Sequence, residues 1–241
     1  MTYRNEVLTI TSPHNEQLKE IRKLAGRKWR DKLREFVAEG EDLLAAADAA
    51  GWVPITKLVA EGSGLEGEEV APHLLAQVSQ LGSGTRAMAV YPQRWAPAPV
   101  GPLCLALWGV NDPGNVGTVL RSALAFGASS VALGPGTADP YGPKAVRASM
   151  GALFDVPLAR VRAPEDLPRP LIGLAARSGR PLGEIADAAT ILVGAEREGL
   201  PAEVLAACDE LAHIPIANES LNAAMAATVA LYECNRRMAA P

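Results

Sequence analysis

The stretch NDPGNVGTVLRSALAFGA, residues 111–128, decides how the chain is read. It follows the apolar run LCLALWGV, residues 103–110, and turns a strand into a helix: proline and glycine make the bend, and apolar side chains then recur at helical spacing. One arginine, Arg121, stands in apolar company. The glycines do not form a familiar nucleotide cradle. A dinucleotide fingerprint needs GxGxxG, whereas Gly109, Gly114 and Gly117 are spaced differently. Gly136 to Lys144 fails the P-loop pattern because no lysine directly follows Gly142.

Downstream, strand-like runs (SSVALG, VPLARV, PLIGLAA, ATILVGA, ELAHIPI) alternate with helices that begin near Asn115, Lys144, Pro201 and Ser220, which predicts a mostly parallel α/β sheet. Ligands in such sheets sit outside the carboxyl ends of the strands. Three segments occupy that position: the opening stretch, GAEREGLP (residues 194–201) and IPIANESLN (residues 214–222). The last helix, from Ser220 to Met238, carries Leu221, Ala224, Met225, Thr228, Leu231 and Tyr232 on one face and small residues elsewhere, so burial on more than one side is expected. Upstream, a helix over residues 15–34, the strand FVAEG, the helix EDLLAAADAA, the strand ITKLVAEG, the helix PHLLAQVSQL and the strand AMAVYP make a small α/β unit. The expected division is an N-terminal domain over residues 1–92, a proline-rich linker over 93–102 (Pro97, Pro99, Pro102) and a second domain over 103–241.

Composition narrows the function classes. With 241 residues, 49% of them hydrophobic, the chain can bury one or two cores, and no apolar run reaches the roughly 20 residues that span a bilayer, so a cytoplasmic protein is expected. Cys104, Cys208 and Cys234 form no CxxC pair, and His14, His73 and His213 are scattered, which argues against a disulfide framework, a metal centre and a histidine-based triad. His213 reads as a strand-end side chain. The net charge of −4 hides one basic run: Lys19, Arg22, Lys23, Arg27, Lys28, Arg30, Lys32 and Arg34 stand against only Glu20 and Asp31. Such a segment can bind RNA, or be a solvated helix face.

The three ligand-facing segments together resemble the motifs of the SpoU (TrmH-like) branch of the SPOUT RNA methyltransferases. The matching stretches are NDPGNVGTVLRSALAFGASSVAL, ILVGAEREGLPAEVLAACDELAHIPI and SLNAAMAATVALYE, in family order. The stretch ITSPHNEQLKEIRKLAGRKWRDKLREFVAEGEDLL looks, more loosely, like the substrate-binding domain of the ribosomal-RNA members. The resemblance implies methyl transfer from S-adenosylmethionine to a ribose 2′-hydroxyl, in a homodimer built through a C-terminal domain with a deep trefoil knot. Ribosomal RNA is the expected substrate and transfer RNA the alternative, with a base target a further one. A non-catalytic RNA-binding or ribosome-assembly factor of the same fold, or a small-molecule α/β enzyme, would be a different class.

Under that resemblance each motif residue gains a role. Arg121 lies near the 2′-hydroxyl, where a guanidinium that stays protonated suits a phosphate or a developing oxyanion better than proton abstraction. Asn115 contacts substrate or simply caps the helix. Glu196 accepts hydrogen bonds from Asn or Arg side chains, or is an exposed turn acid. Ser220 and Asn222 bond a ribose hydroxyl, or cap the last helix. Gly194, Ile214 and Leu221 match the cofactor site, the glycine for close backbone approach and the other two for backbone groups and an apolar wall. Lys19, Arg22, Lys23, Arg27, Lys28 and Arg30 are the expected RNA-binding side chains, and no metal ligand is expected.

Overall fold

In the computed structural model, which describes residues 9–80, 84–176, 178–184, 190–217 and 221–238, the basic N-terminal stretch forms two helices where the periodicity predicts one. Helix α1 (Glu16–Leu24) starts on Asn15, whose side chain accepts from the backbone N–H groups of Gln17 and Leu18, and it buries Leu18, Ile21 and Leu24. Gly26, in extended conformation, interrupts it. Helix α2 (Arg27–Leu33) then runs on until Arg34 turns left-handed at φ 60°. Arg30 stabilises the break: it is only 5% exposed, and its guanidinium donates to the carbonyls of Leu24 at 2.8 Å and Ala25 at 2.7 Å, at the end of α1 where helical partners run out.

Strand β1 (Glu35–Glu39), helix α3 (Glu41–Ala49), strands β2 (Thr56–Ala60) and β3 (Glu68–Val70), helix α4 (Pro72–Val78) and strand β4 (Ala87–Pro92) complete this part. The sheet order is β1-β4-β2-β3; β4 is antiparallel to β1 and β2, and β2 is parallel to β3. Alternation along β1 sends Val37 into a core with Leu18, Leu58, Leu74 and Val90, and Phe36 to the other face against Trp52 and Tyr91. Burial, with the Glu20 carboxylate beside it, pushes the Glu35 carboxyl above the usual carboxylate range.

Phe36 has a third aromatic partner, Tyr141, at 4.7 Å between ring centroids, from a part of the sequence expected to lie wholly in the second domain. Two compact units result: residues up to Gln93 with Tyr141–Arg147, and Arg94–Pro140 with the chain from Ala148 onward. The proline-rich segment, expected as a linker, is bonded into the second unit. Ala96 N–H donates to the Leu158 carbonyl at 2.7 Å, Val100 exchanges two hydrogen bonds with the buried Ser130 hydroxyl, and the Arg160 guanidinium lies 4.2 Å over the Trp95 ring.

The second unit follows the predicted alternation: β5 (Cys104–Leu107), α5 (Pro113–Ala125), β6 (Ser130–Leu133), α6 (Pro143–Ser149, given mostly to the first unit), β7 (Leu158–Arg160), β8 (Leu171–Leu174), β9 (Arg180–Pro181), β10 (Thr190–Val193), α7 (Ala202–Ala207), β11 (Glu210–His213) and α8 (Ala223–Met238). The seven-stranded sheet has the order β7-β6-β5-β10-β8-β11-β9, and every pairing is parallel. The chain steps outward from β5 through β6 to β7, then crosses to the far side for β8, so its direction reverses between β5 and β10. Such a reversal opens a crevice at the carboxyl ends of the strands.

Helices α5 and α8 pack side by side, with the Ser122 and Thr228 hydroxyls 2.6 Å apart and Asn235 donating to the Phe126 carbonyl. Ala224, Ala227, Leu231 and Cys234 are buried, whereas Met225 and Tyr232 of the expected buried stripe stay 62% and 52% exposed. The three cysteines are free thiols, and no helix among the described residues is long and apolar enough to cross a membrane.

Candidate active site

The loop after β5 enters α5 through Asp112 and Pro113. Asp112 is the N-cap, its Oδ1 accepting from the Asn115 N–H at 3.0 Å, and Pro113 fills the first turn, where a missing N–H costs nothing. Asn115, a candidate cap from sequence, is relieved of that task by Asp112. Its side chain is released from the helix and points its amide at Glu196, donating from Nδ2 to Glu196 Oε1.

Glu196 is carried by a tight loop at the end of β10. Ala195 and Gly199 exchange backbone hydrogen bonds of 3.1 and 2.9 Å, and a Cβ on Gly194 would come within 2.2 Å of the Gly199 carbonyl carbon. Gly194 is therefore glycine because the two arms of its own loop touch, a reason independent of any cofactor.

Asn222 completes the cluster. Its Oδ1 accepts from the N–H groups of Ala224 at 2.9 Å and Met225 at 3.3 Å, capping α8 and forcing Nδ2 outward. That nitrogen donates to Glu196 Oε1 at 2.7 Å and to Asn115 Oδ1 at 3.2 Å. One carboxylate oxygen thus orients two amides from segments more than a hundred residues apart. Ser220, the other candidate cap of this helix, lies outside the described residues, and the cap observed is Asn222.

Beside Glu196 opens a cavity of about 720 Å³, within the size range of sites for small organic ligands. Gly194, Ile214 and Leu221 all line it. Leu174, Val193, Leu200 and Ile216 give it apolar walls, and the chain that leaves β11 after His213 runs along it. Volume, apolar walls and a polar rim fit S-adenosylmethionine, the group the sequence motifs imply. Sequence reading did not single out Asp112, Leu174 at the end of β8 with Ala175 and Ala176 beyond it, or Ile216 within the segment 214–222. The Asp-Pro pair and the strand ends could have revealed them. His213 Nδ1–H donates to the Gly179 carbonyl at 3.2 Å, from the end of β11. Among the described residues no cluster of possible metal ligands occurs.

Arg121 does not join the cluster. It is exposed on α5, with Thr118 one turn before it and Leu124 one turn after, and makes no polar contact among the described residues. An apolar surface lies beside it: Leu124, Met225, Val229 and Tyr232 are exposed, and Phe126 meets Tyr232 edge-on at 5.8 Å, joining α5 to α8.

Of the expected RNA-binding side chains, Arg30 is corrected: buried and bonded to the end of α1, it is structural. Lys19 is held by Glu16 at 2.6 Å, Arg22 donates to the Pro13 carbonyl and Arg27 lies 3.6 Å from Asp31. Lys23 and Lys32 sit 5.4 and 5.1 Å from the centroid of the Trp29 ring, and Lys28 is exposed.

Comparison with known proteins agrees with this geometry. Residues 102–232 match the SpoU rRNA Methylase family and residues 15–90 the MRM3-like substrate binding domain. The 23S rRNA (guanosine(2553)-2′-O)-methyltransferase RlmP of Bacillus subtilis is 29% identical over 241 residues, covering 92% of this chain and 97% of that protein. The AdoMet-bound rRNA methyltransferase from Sinorhizobium meliloti superposes with a TM-score of 0.86 at 30% identity, over 97% of this chain and 99% of the other. AviRb from Streptomyces viridochromogenes, crystallised in complex with AdoMet, gives 0.83 at 28%, over 95% and 100%. With the second and third motif segments lining one cavity, the first joined to them through Asn115, and the family match running through all three, the chain belongs to the SpoU rRNA methylase family.

Proposed function

We propose that the protein transfers a methyl group from S-adenosylmethionine to a ribose 2′-hydroxyl of ribosomal RNA, in the cytoplasm, as a homodimer. The observation that carries this reading is the Asn115–Glu196–Asn222 cluster at the rim of the 720 Å³ cavity. Ribosomal rather than transfer RNA is favoured by a relative matched over nearly its full length and named for 23S rRNA, and by the substrate-binding match of the first unit. Family membership also implies the C-terminal knot.

S-adenosylmethionine supplies an electrophilic methyl group on sulfonium. Gly194, Ile214 and Leu221 hold it against apolar walls that exclude water. Glu196 Oε1 is occupied by the two amides, which leaves Oε2 to accept a hydrogen bond from the 2′-hydroxyl and then to take its proton as an O–CH3 bond replaces the S–CH3 bond, with S-adenosylhomocysteine as the leaving product. Asn115 and Asn222 fix that carboxylate, and orientation of this kind is worth roughly 7–11 kcal/mol at its best. Arg121, whose guanidinium has five N–H donors and no acceptor, holds an RNA phosphate and steadies the oxyanion without taking a proton.

The separation of Arg121 from the cluster supports a second copy. Covering Leu124, Met225, Val229 and Tyr232 with the same surface of a partner buries an exposed apolar patch and carries Arg121 towards the partner's cluster. The test is complementation. Arg121→Ala and Glu196→Gln proteins are each expected to be inactive, and a co-expressed mixture to recover activity through sites that combine an intact Glu196 with the other subunit's Arg121. Methylation is read as 2′-O-methyl groups on rRNA. An active Arg121→Ala protein would sink the assignment, and an inactive mixed dimer would sink the shared site.

A further inference from the structure

Ala25, at the elbow between α1 and α2, lines a second cavity of about 370 Å³ that is contained within the first unit. Its floor is apolar, made by Val37 of β1, Leu43 of α3 and Val146 of α6, all buried. Glu39 forms one wall and is held rigidly there: its carboxylate accepts from the Gln80 N–H at 2.9 Å and from the Ser79 hydroxyl at 2.8 Å. A carboxylate offers about four acceptor positions, so capacity remains for a further N–H. From α6 come Lys144 and Arg147, one helical turn apart and both exposed, and Arg147 makes no polar contact among the described residues.

Only a ligand with three chemistries uses all of this. An inorganic anion would leave the apolar floor wet and meet the Glu39 charge, and an apolar ligand would make no use of either cation. A nucleotide satisfies the set: its phosphate suits Lys144 and Arg147, a base face suits Val37, Leu43 and Val146, and a base N–H suits Glu39. The volume holds one nucleotide and no duplex. Lys23, Arg27 and Lys28 flank Ala25 in sequence and extend the positive surface from the cleft along the elbow. We propose that this cleft holds a single unpaired nucleotide of the RNA substrate, so that α6, although it belongs in sequence to the catalytic domain, takes part in substrate recognition. The proposal rests on the RNA reading above.

The experiment uses the full chain and a ribosomal RNA fragment that it methylates. Lys144→Ala/Arg147→Ala is expected to weaken RNA binding about tenfold near physiological salt. It should also make the slope of log affinity against log salt shallower by about 0.7 for each phosphate that is no longer neutralised. S-adenosylmethionine affinity and melting temperature stay unchanged, and Lys144→Arg/Arg147→Lys keeps affinity within about threefold, since both charges remain. Ultraviolet cross-links from bound RNA fall in peptides containing residues 37–43 or 143–147. Unchanged affinity and salt slope in the alanine variant, or cross-links absent from both peptides, overturns the proposal. So does a cleft that binds a free nucleoside 5′-monophosphate while both variants bind RNA like the wild type. A wild-type protein that neither binds nor methylates RNA would instead remove the functional reading itself.

Discussion

Asn115, Glu196 and Asn222 come from three separate segments and bond to one another, whereas Arg22, Lys23, Arg27, Lys28 and Lys32 come from one continuous segment and are exposed side by side. The first arrangement spends helix caps and a glycine-tight loop on fixing a few polar atoms. The second leaves its charges on long, adaptable stems. Fixed donors act on reacting atoms at defined geometry, and their loss removes rate. Spread cations act through counterion release, and their loss removes affinity in small, salt-dependent steps. Under the proposed function the two units divide the work: chemistry where groups converge, capture where they do not.

The sharpest way to break this contrast is to separate convergence from folding within one helix turn. Asn115→Ala should lower kcat by roughly 10²–10³ with melting temperature and cofactor affinity unchanged, because Asp112 does the capping. Asp112→Ala should do the reverse at first order, costing about 1 kcal/mol of stability. Single-turnover kinetics and calorimetry on both variants decide it; a large stability loss from Asn115→Ala would mean the cluster is scaffolding.

A second test works inside the basic segment. Arg30→Ala should destabilise the first unit by about 1.5–3 kcal/mol, since a buried cation holding two carbonyls is removed. Lys28→Ala should leave stability alone and weaken RNA binding only about two- to threefold, more at low salt. Equal effects of the two on RNA affinity with no difference in melting would contradict the division.

The smallest expected effect concerns Glu35. Its carboxyl titrates above the ordinary value of 4.5 in the folded protein, because burial and Glu20 disfavour its charge. A raised folded pKa gives stability that is present below the unfolded pKa and lost as pH rises through the folded one. Glu35→Gln should thus raise the melting temperature by roughly 1–3 °C at neutral pH and by less near pH 4. An equal gain at both values would show that charge is not the cause.

The second unit was largely legible because its strands are buried on both faces and read as continuous apolar runs, and its loops carry the motif residues in contiguous stretches. The pairing of Asn115 with Asn222 was not legible, since hydrogen bonds between distant loops leave no periodicity. β3 and β9 escaped notice because three and two residues, several of them charged, carry no strand pattern. The single helix read over residues 15–34 failed at Gly26, where helical periodicity survives on both sides of a bend that a buried Arg30 holds in place. The spacing along α8 identified an apolar helix without naming what covers each side: Ala224, Ala227, Leu231 and Cys234 are buried within the chain, and Met225 and Tyr232 are exposed on it.

Tyr141–Arg147 belongs to the first unit although it lies beyond the strands β5 and β6 of the second. On the ribosome, the aromatic cluster of Phe36, Trp52 and Tyr91 must wait for Tyr141, which emerges several seconds after Gln93 at roughly 5–20 residues per second. During that interval β5, α5 and β6 are already leaving the exit tunnel. The nascent chain therefore cannot finish one unit before starting the next, and a gene cut at residue 92 would encode a first unit that lacks an aromatic ring of its own core.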